Sequence, residues 1–205
     1  MIDWLLFIPA CFALNLAFGP NNLLALTHGA RRGVGFAALA SLGRLLAFAP
    51  MIALSALGLG VILTASSLVF GIVKIIGAAY LIWLGISLLR SASSIDARSL
   101  SGGDITLPRA LRSEALVALS NPKAILIFAA FFPQFISLEA YWSGYAMLGA
   151  AFLVLEVMAI LVYALLGKVA SRFAAGGLPI FQRLSGAMMC VFGAVLLFSP
   201  QPSSR

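Results

Sequence analysis

Phe18-Gly19-Pro20-Asn21-Asn22 interrupts an apolar run that otherwise has the length and composition of one membrane-crossing helix. Pro20 removes a backbone donor and Gly19 is a poor helix former, so the run is expected to break here and leave carbonyls open. Opened backbone at membrane depth is tolerated only where protein buries it or where it lines a cavity. A second insert of the same kind, Asn121-Pro122-Lys123, opens the fourth apolar span. Paired interruptions in two halves of one chain point to a transport site near the bilayer midplane. The plainer alternative is that both are kinks packed against neighbouring helices.

Composition sets the class. Of 205 residues 62% are hydrophobic and 9% charged, with a mean hydropathy of +1.10, whereas a soluble domain carries about a quarter charged residues. The expected fold is an all-α polytopic membrane protein. Windows of roughly twenty apolar residues fall at about 4–28, 35–64, 69–90, 113–137, 143–168 and 180–199, which makes six helices. The first is followed by no small-residue cleavage site and is expected to be retained, not removed as a signal peptide. Links are short except 91–110, where serines, Gly102-Gly103 and Pro108 supply flexible and turn-forming residues. That linker divides one transmembrane domain, 1–205, into halves 1–90 and 111–199. Three helices per half, if the halves are repeats, makes them inverted, with helices 1 and 4 the interrupted ones. Lys74-x-x-Gly77 with Gly85 loosely parallels Arg183-x-x-Gly186 with Gly193, and close helix packing is the expected role of these glycines.

The formal net charge of +7 does not indicate nucleic acid, because the basic residues are scattered among loop ends. Arg31 and Arg32 follow helix 1; Arg90, Arg98, Arg109 and Arg112 lie between helices 3 and 4; Lys168, Arg172 and Arg183 lie between helices 5 and 6. The positive-inside rule makes these links cytoplasmic and puts both termini on the outer side. The segment 107–120 is amphipathic in its first half and is expected to lie along the cytoplasmic interface. Cys11 and Cys190 fall inside apolar spans and His28 is the single histidine, so no disulfide framework, metal site or cofactor is expected. Nor does a nucleophile with a paired base suggest an enzyme.

Charged side chains at membrane depth are costly and mark function by default. Glu156 lies mid-span in helix 5, Lys123 at the break of helix 4, and Arg44 about ten residues into helix 2. Glu156 and Tyr163 share one helical face, which must point inward. Apolar surroundings favour the neutral acid and a nearby cation favours the carboxylate; a carboxyl balanced between the two can take up and release a proton. The bland reading is a structural ion pair of Glu156 with Lys123 or Arg44. Asn21, Asn22 and Asn121 offer amide groups, and helix starts at Pro20 and Pro122 present free N–H groups suited to a carboxylate. Freed carbonyls, with Asn15 and a side-chain carboxylate, suit an ammonium. One cavity of this kind could hold both ends of an amino acid. His28 reads more simply as a surface or loop residue, and the phenylalanines 128, 131, 132 and 135 as packing and lipid contact.

These residues resemble the lysine exporter (LysE/RhtB) family of amino-acid efflux permeases over nearly the whole chain. The resemblance is carried by Gly19-Pro20 with the polar residues after it, by Gly29 to Gly33, and by Gly77-Ala78-Ala79-Tyr80-Leu81-Ile82-Trp83-Leu84-Gly85. Asn121-Pro122-Lys123-Ala124, Phe132-Pro133-Gln134-Phe135, and Glu156 with Tyr163 complete it. It implies a six-helix exporter of the bacterial inner membrane, moving an amino acid or small derivative outward in exchange for protons. It also implies that the Gly-Pro and Asn-Pro-Lys segments contribute to the translocation site. One departure stands out: where members often carry two glycines four apart in helix 2, this chain has Ala40 and Arg44. The expected partners are a zwitterionic substrate, protons and membrane lipids, with a homodimer left open. The rival function is a passive channel or a structural membrane protein.

Overall fold

In the computed structural model the chain is described over residues 2–65, 67–90, 105–136, 138–173 and 178–198. Among these residues all regular structure is helical, in the order α1 (Trp4–Leu16), α2 (Pro20–Arg32), α3 (Val34–Ala40), α4 (Leu42–Ala65), α5 (Ser67–Arg90), α6 (Leu107–Leu119), α7 (Pro122–Leu126), α8 (Tyr141–Phe173) and α9 (Leu178–Phe198). After α7 the backbone widens into a π turn, Ile127–Phe131, and tightens into a 3-10 turn, Phe132–Phe135. A π turn of this kind often marks a functional segment.

Both expected interruptions are present. Asp3 caps α1 by accepting from the Leu6 N–H at 3.1 Å, and α1 ends at Ala17. Gly19, with extended backbone, then starts α2 with Pro20 in the first turn, where its missing N–H costs nothing. The two helices meet at 64°. In the second half Asn121 caps α7 with Pro122 in its first turn, and α6 and the segment after it meet at 51°.

Two helical stretches, Val34–Gly58 and Tyr141–Val169, are long and apolar enough to cross a membrane, and each bent pair is so as a unit. The first of these is notched at Ser41, between α3 and α4. Helix α6 starts at Leu107, inside the segment 91–110 expected as the linker, and residues 91–104 of that segment lie outside the described residues.

The segment 107–120 forms α6, packed on α4 with Ala110, Glu114 and Ala118 turned inward. Gly43 makes this possible, because a Cβ there would collide with the Leu111 carbonyl. The same device brings α8 against α2, where a Cβ on Gly167 or Gly29 would strike the carbonyls of Leu26 or Ala164. Helices α5 and α9 also pack together, and Gly85 and Gly193 lie at that contact.

The core has two parts. One is a group of rings from α1, α4, α8 and the π segment: Phe128 and Phe152 lie 4.9 Å apart, Phe48 and Phe152 5.5 Å, Phe7 and Phe131 5.7 Å. The phenylalanines at 128, 131 and 132 are thus buried and ring-packed. The other is a buried polar cluster beside it, joined where Asn15 of α1 donates to the Phe152 carbonyl of α8 at 3.3 Å.

Candidate functional site

The polar cluster is built at the two helix breaks. Where α1 ends, its last carbonyls lose their partners, and two side chains take them up. The Asn22 amide donates to the carbonyls of Asn15 and Ala17 at 2.7 and 2.9 Å. The Lys123 ammonium donates to those of Leu14 and Ala17 at 3.2 and 2.8 Å. A cation at a helix C-terminus also meets the negative end of the helix dipole. Lys123 lies against Gly19, where a Cβ would stand 3.6 Å from its Nζ. Tyr163 closes the same break from α8: its hydroxyl donates to the Leu16 carbonyl at 2.7 Å and its ring packs against Phe18 at 5.9 Å.

Asn121 works similarly at the second break. Its Oδ1 accepts from the Lys123 backbone N–H at 3.0 Å, and its Nδ2 donates to Asn21 Oδ1 at 2.9 Å, so the two breaks touch directly. Asn21 in turn donates to the Glu114 carbonyl at 3.1 Å.

Arg44 occupies the centre, with no exposed surface. Its Nε donates to Glu114 Oε2 at 2.9 Å, one terminal nitrogen donates to Glu156 Oε1 at 2.7 Å and to Asn22 Oδ1 at 3.0 Å, and the other donates to the Asn21 carbonyl. A guanidinium has five N–H donors in a fixed fork, and this one holds groups from α2, α6 and α8 at once. Ser41 donates to Glu114 Oε1 at 3.4 Å. His28 Nδ1 lies 3.4 Å from the same oxygen, within ion-pair range but not aligned as a hydrogen bond.

All of the residues singled out in the sequence lie in or beside this cluster: Asn15, Gly19, Asn21, Asn22, Arg44, Asn121, Lys123, Glu156 and Tyr163 are buried or line a break, and Pro20 and Pro122 start the helices that leave the breaks. The direct partner of Glu156 is Arg44 and not Lys123.

Two members were missed. Glu114 is fully buried and pairs with Arg44. His28 is 2% exposed, which corrects its reading as a surface or loop residue. The signal for Glu114 was its place one helical turn from Ala110 and Ala118, on a small-residue face; its neighbours Arg109 and Arg112 hid it. With two cations, Arg44 and Lys123, and two carboxylates, Glu114 and Glu156, the formal charges cancel. Burying four ions is tolerable only because each is met by hydrogen bonds or an opposite charge.

Broken helices with buried charges gathered at their breaks are a pattern that membrane transporters use. The comparison with known proteins agrees: residues 12–199 match the model of the LysE type translocator family, and the chain belongs to that family. It is 40% identical over 151 residues to an uncharacterised membrane protein of Pseudomonas aeruginosa, covering 72% of this chain and 68% of that one. The homoserine/homoserine lactone efflux protein of Salmonella typhi is 30% identical over 196 residues, 94% of this chain and 95% of the relative. The leucine efflux protein of Enterobacter sp. is 31% identical over 144 residues, 70% and 68% of the two chains. No solved structure matches.

Proposed function

We propose that this protein exports an amino acid or small amino-acid derivative across the bacterial inner membrane in exchange for protons. Its six spans form two inverted triplets, with both termini outside. The observation that carries the reading is the meeting of the two breaks around Arg44, which a carboxylate on α8, Glu156, holds at 2.7 Å. The efflux proteins among the relatives support the substrate class.

In this reading the substrate carboxylate is received by the first N–H groups of α2 and by Arg44, and its amino group by Asn15 and the open end of α1. Tyr163, Asn22 and Asn121 shape the pocket. Glu156 couples transport to the proton gradient. When protonated it loses its ionic hold on Arg44, and the guanidinium is free to turn to a substrate carboxylate; when ionised it takes Arg44 back. The two halves rock about the site to open it alternately to each side.

The test is efflux of preloaded labelled amino acids from vesicles containing the purified protein, with and without an imposed proton gradient. Saturable efflux that rises with an inward gradient is expected; flux indifferent to the gradient removes the coupling. Glu156→Gln is expected to fold and bind substrate yet lose gradient-driven efflux. A thermal-shift screen against amino acids separates a transporter from a structural membrane protein, because a ligand that binds only the folded state raises its stability.

A further inference from the structure

The carbonyls that would receive a substrate amino group are already in use, and the group using them is chemically the same. We propose that the α1–α2 break is a binding site for a primary ammonium group, filled here by the chain's own Lys123, and that a transported amino acid binds by displacing it. This rests on the reading of the site as an amino-acid exporter, but the ammonium site can be tested apart from it.

Three observations carry the proposal. The Lys123 ammonium reaches from α7 across to α1 and donates to two carbonyls at the break, that of Leu14, which the Ala17 N–H also meets at 3.2 Å, and that of Ala17, which the Asn22 amide also meets at 2.9 Å. It does so without a carboxylate in contact, since Glu156 and Glu114 both pair with Arg44. The site therefore selects a compact cation with several donors and does not depend on an ion pair. Asn15, which stands between these residues in sequence, is 1% exposed and keeps a buried acceptor, Oδ1, with no hydrogen-bond partner. A buried acceptor left open costs stability until a donor reaches it. An ammonium has three donors and no acceptor, so a site of carbonyls fits it and rejects a quaternary nitrogen.

Displacement keeps the charge at the end of α1 constant. The incoming ammonium replaces one positive charge with another. Lys123 thus acts as a tethered competitor that fills the break between transport cycles and keeps out alkali cations and water. Substrates lacking a primary amine, such as N-trimethylated amino acids, cannot take its place.

The test is chemical rescue. Lys123→Ala empties the side-chain channel, and the purified variant in detergent is titrated with n-propylammonium while its melting temperature is followed. A saturable rise of at least about 4 °C is expected, with no rise for tetramethylammonium or sodium at equal ionic strength and none for the unaltered protein. Lys123→Met, which keeps the stem and leaves only the ammonium position open, is expected to respond to ammonium chloride and not to propylammonium. If either variant is unfolded in amine-free buffer, the readout is the monodisperse fraction recovered with the amine present. A folded variant indifferent to its amine, recovery that sodium matches, or an equal response of the unaltered protein overturns the proposal. Rescue without amino-acid efflux in vesicles would leave the ammonium site standing and remove the export reading; efflux without rescue would do the reverse.

Discussion

Arg44 is the side chain on which the cluster depends. Removing it leaves Glu156 buried with no opposite charge in contact and Glu114 with only His28 in range, and losing one partner of a buried ion pair costs about 3–5 kcal/mol. Arg44→Met is therefore expected to lower the melting temperature in detergent sharply. The triple change Arg44→Met, Glu114→Gln, Glu156→Gln is expected to recover most of the loss, since no carboxylate is left without a partner and the one charge that remains, Lys123, keeps its carbonyl partners; a triple variant no more stable than the single one would show that shape and not charge dominates. Arg44 and Glu156 could be picked out from sequence because charges inside apolar spans are conspicuous. Glu114 could not: it sits beside Arg112 and Ser113 in a stretch of ordinary amphipathic pattern, and what buries it is an arginine 70 positions earlier. His28 was misread for the same reason. Its local surroundings resemble a helix end near Arg31 and Arg32, whereas the groups that meet its ring, Phe36 of α3 at 5.8 Å and Glu114 of α6 at 3.4 Å, come from other helices.

Among the helices, what the chain encodes most clearly is where they stop. Proline and glycine break α1 from α2, and Asn121 with Pro122 starts α7 afresh, all from residue chemistry that acts within a few positions. How closely the helices then approach is less visible, because a glycine in a helix reads the same whether its bare face meets a neighbour or open space. Helix α8 offers a direct comparison. Gly167→Ala puts a methyl group into the Leu26 carbonyl of α2 and is expected to destabilise by about 1–3 kcal/mol. Gly144→Ala meets only the Ile136 side chain, at 3.8 Å, and is expected to stabilise the helix by about 0.5–1 kcal/mol. Thermal melts of the two variants side by side check both signs; equal losses would mean that the α2–α8 contact is looser than the structure has it. The packing of α6 shows the limit of pattern reading: amphipathicity does not say which neighbour the apolar face meets, and Gly43 brings α6 onto α4 by admitting the Leu111 backbone.

For the protein in its bilayer, the proposed orientation places the start of α6 inside and the turn before α8 outside. Single cysteines at Arg109 and Glu139, both exposed, are expected to react with a membrane-impermeant maleimide from opposite faces of intact cells, Glu139→Cys from the outside and Arg109→Cys only after permeabilisation. Labelling of both from one face would remove the inverted arrangement. The way the cluster is shared between the halves also bears on biogenesis. Arg44 enters the membrane with the first half, while the carboxylates that neutralise it belong to the second, and Glu114 emerges from the ribosome 70 residues later, which at usual synthesis speeds is a delay of roughly 4–14 s. An arginine at mid-helix costs about 2.5–3.5 kcal/mol on insertion scales, so until its counter-ions arrive the apolar residues of the Val34–Gly58 stretch have to carry that cost alone.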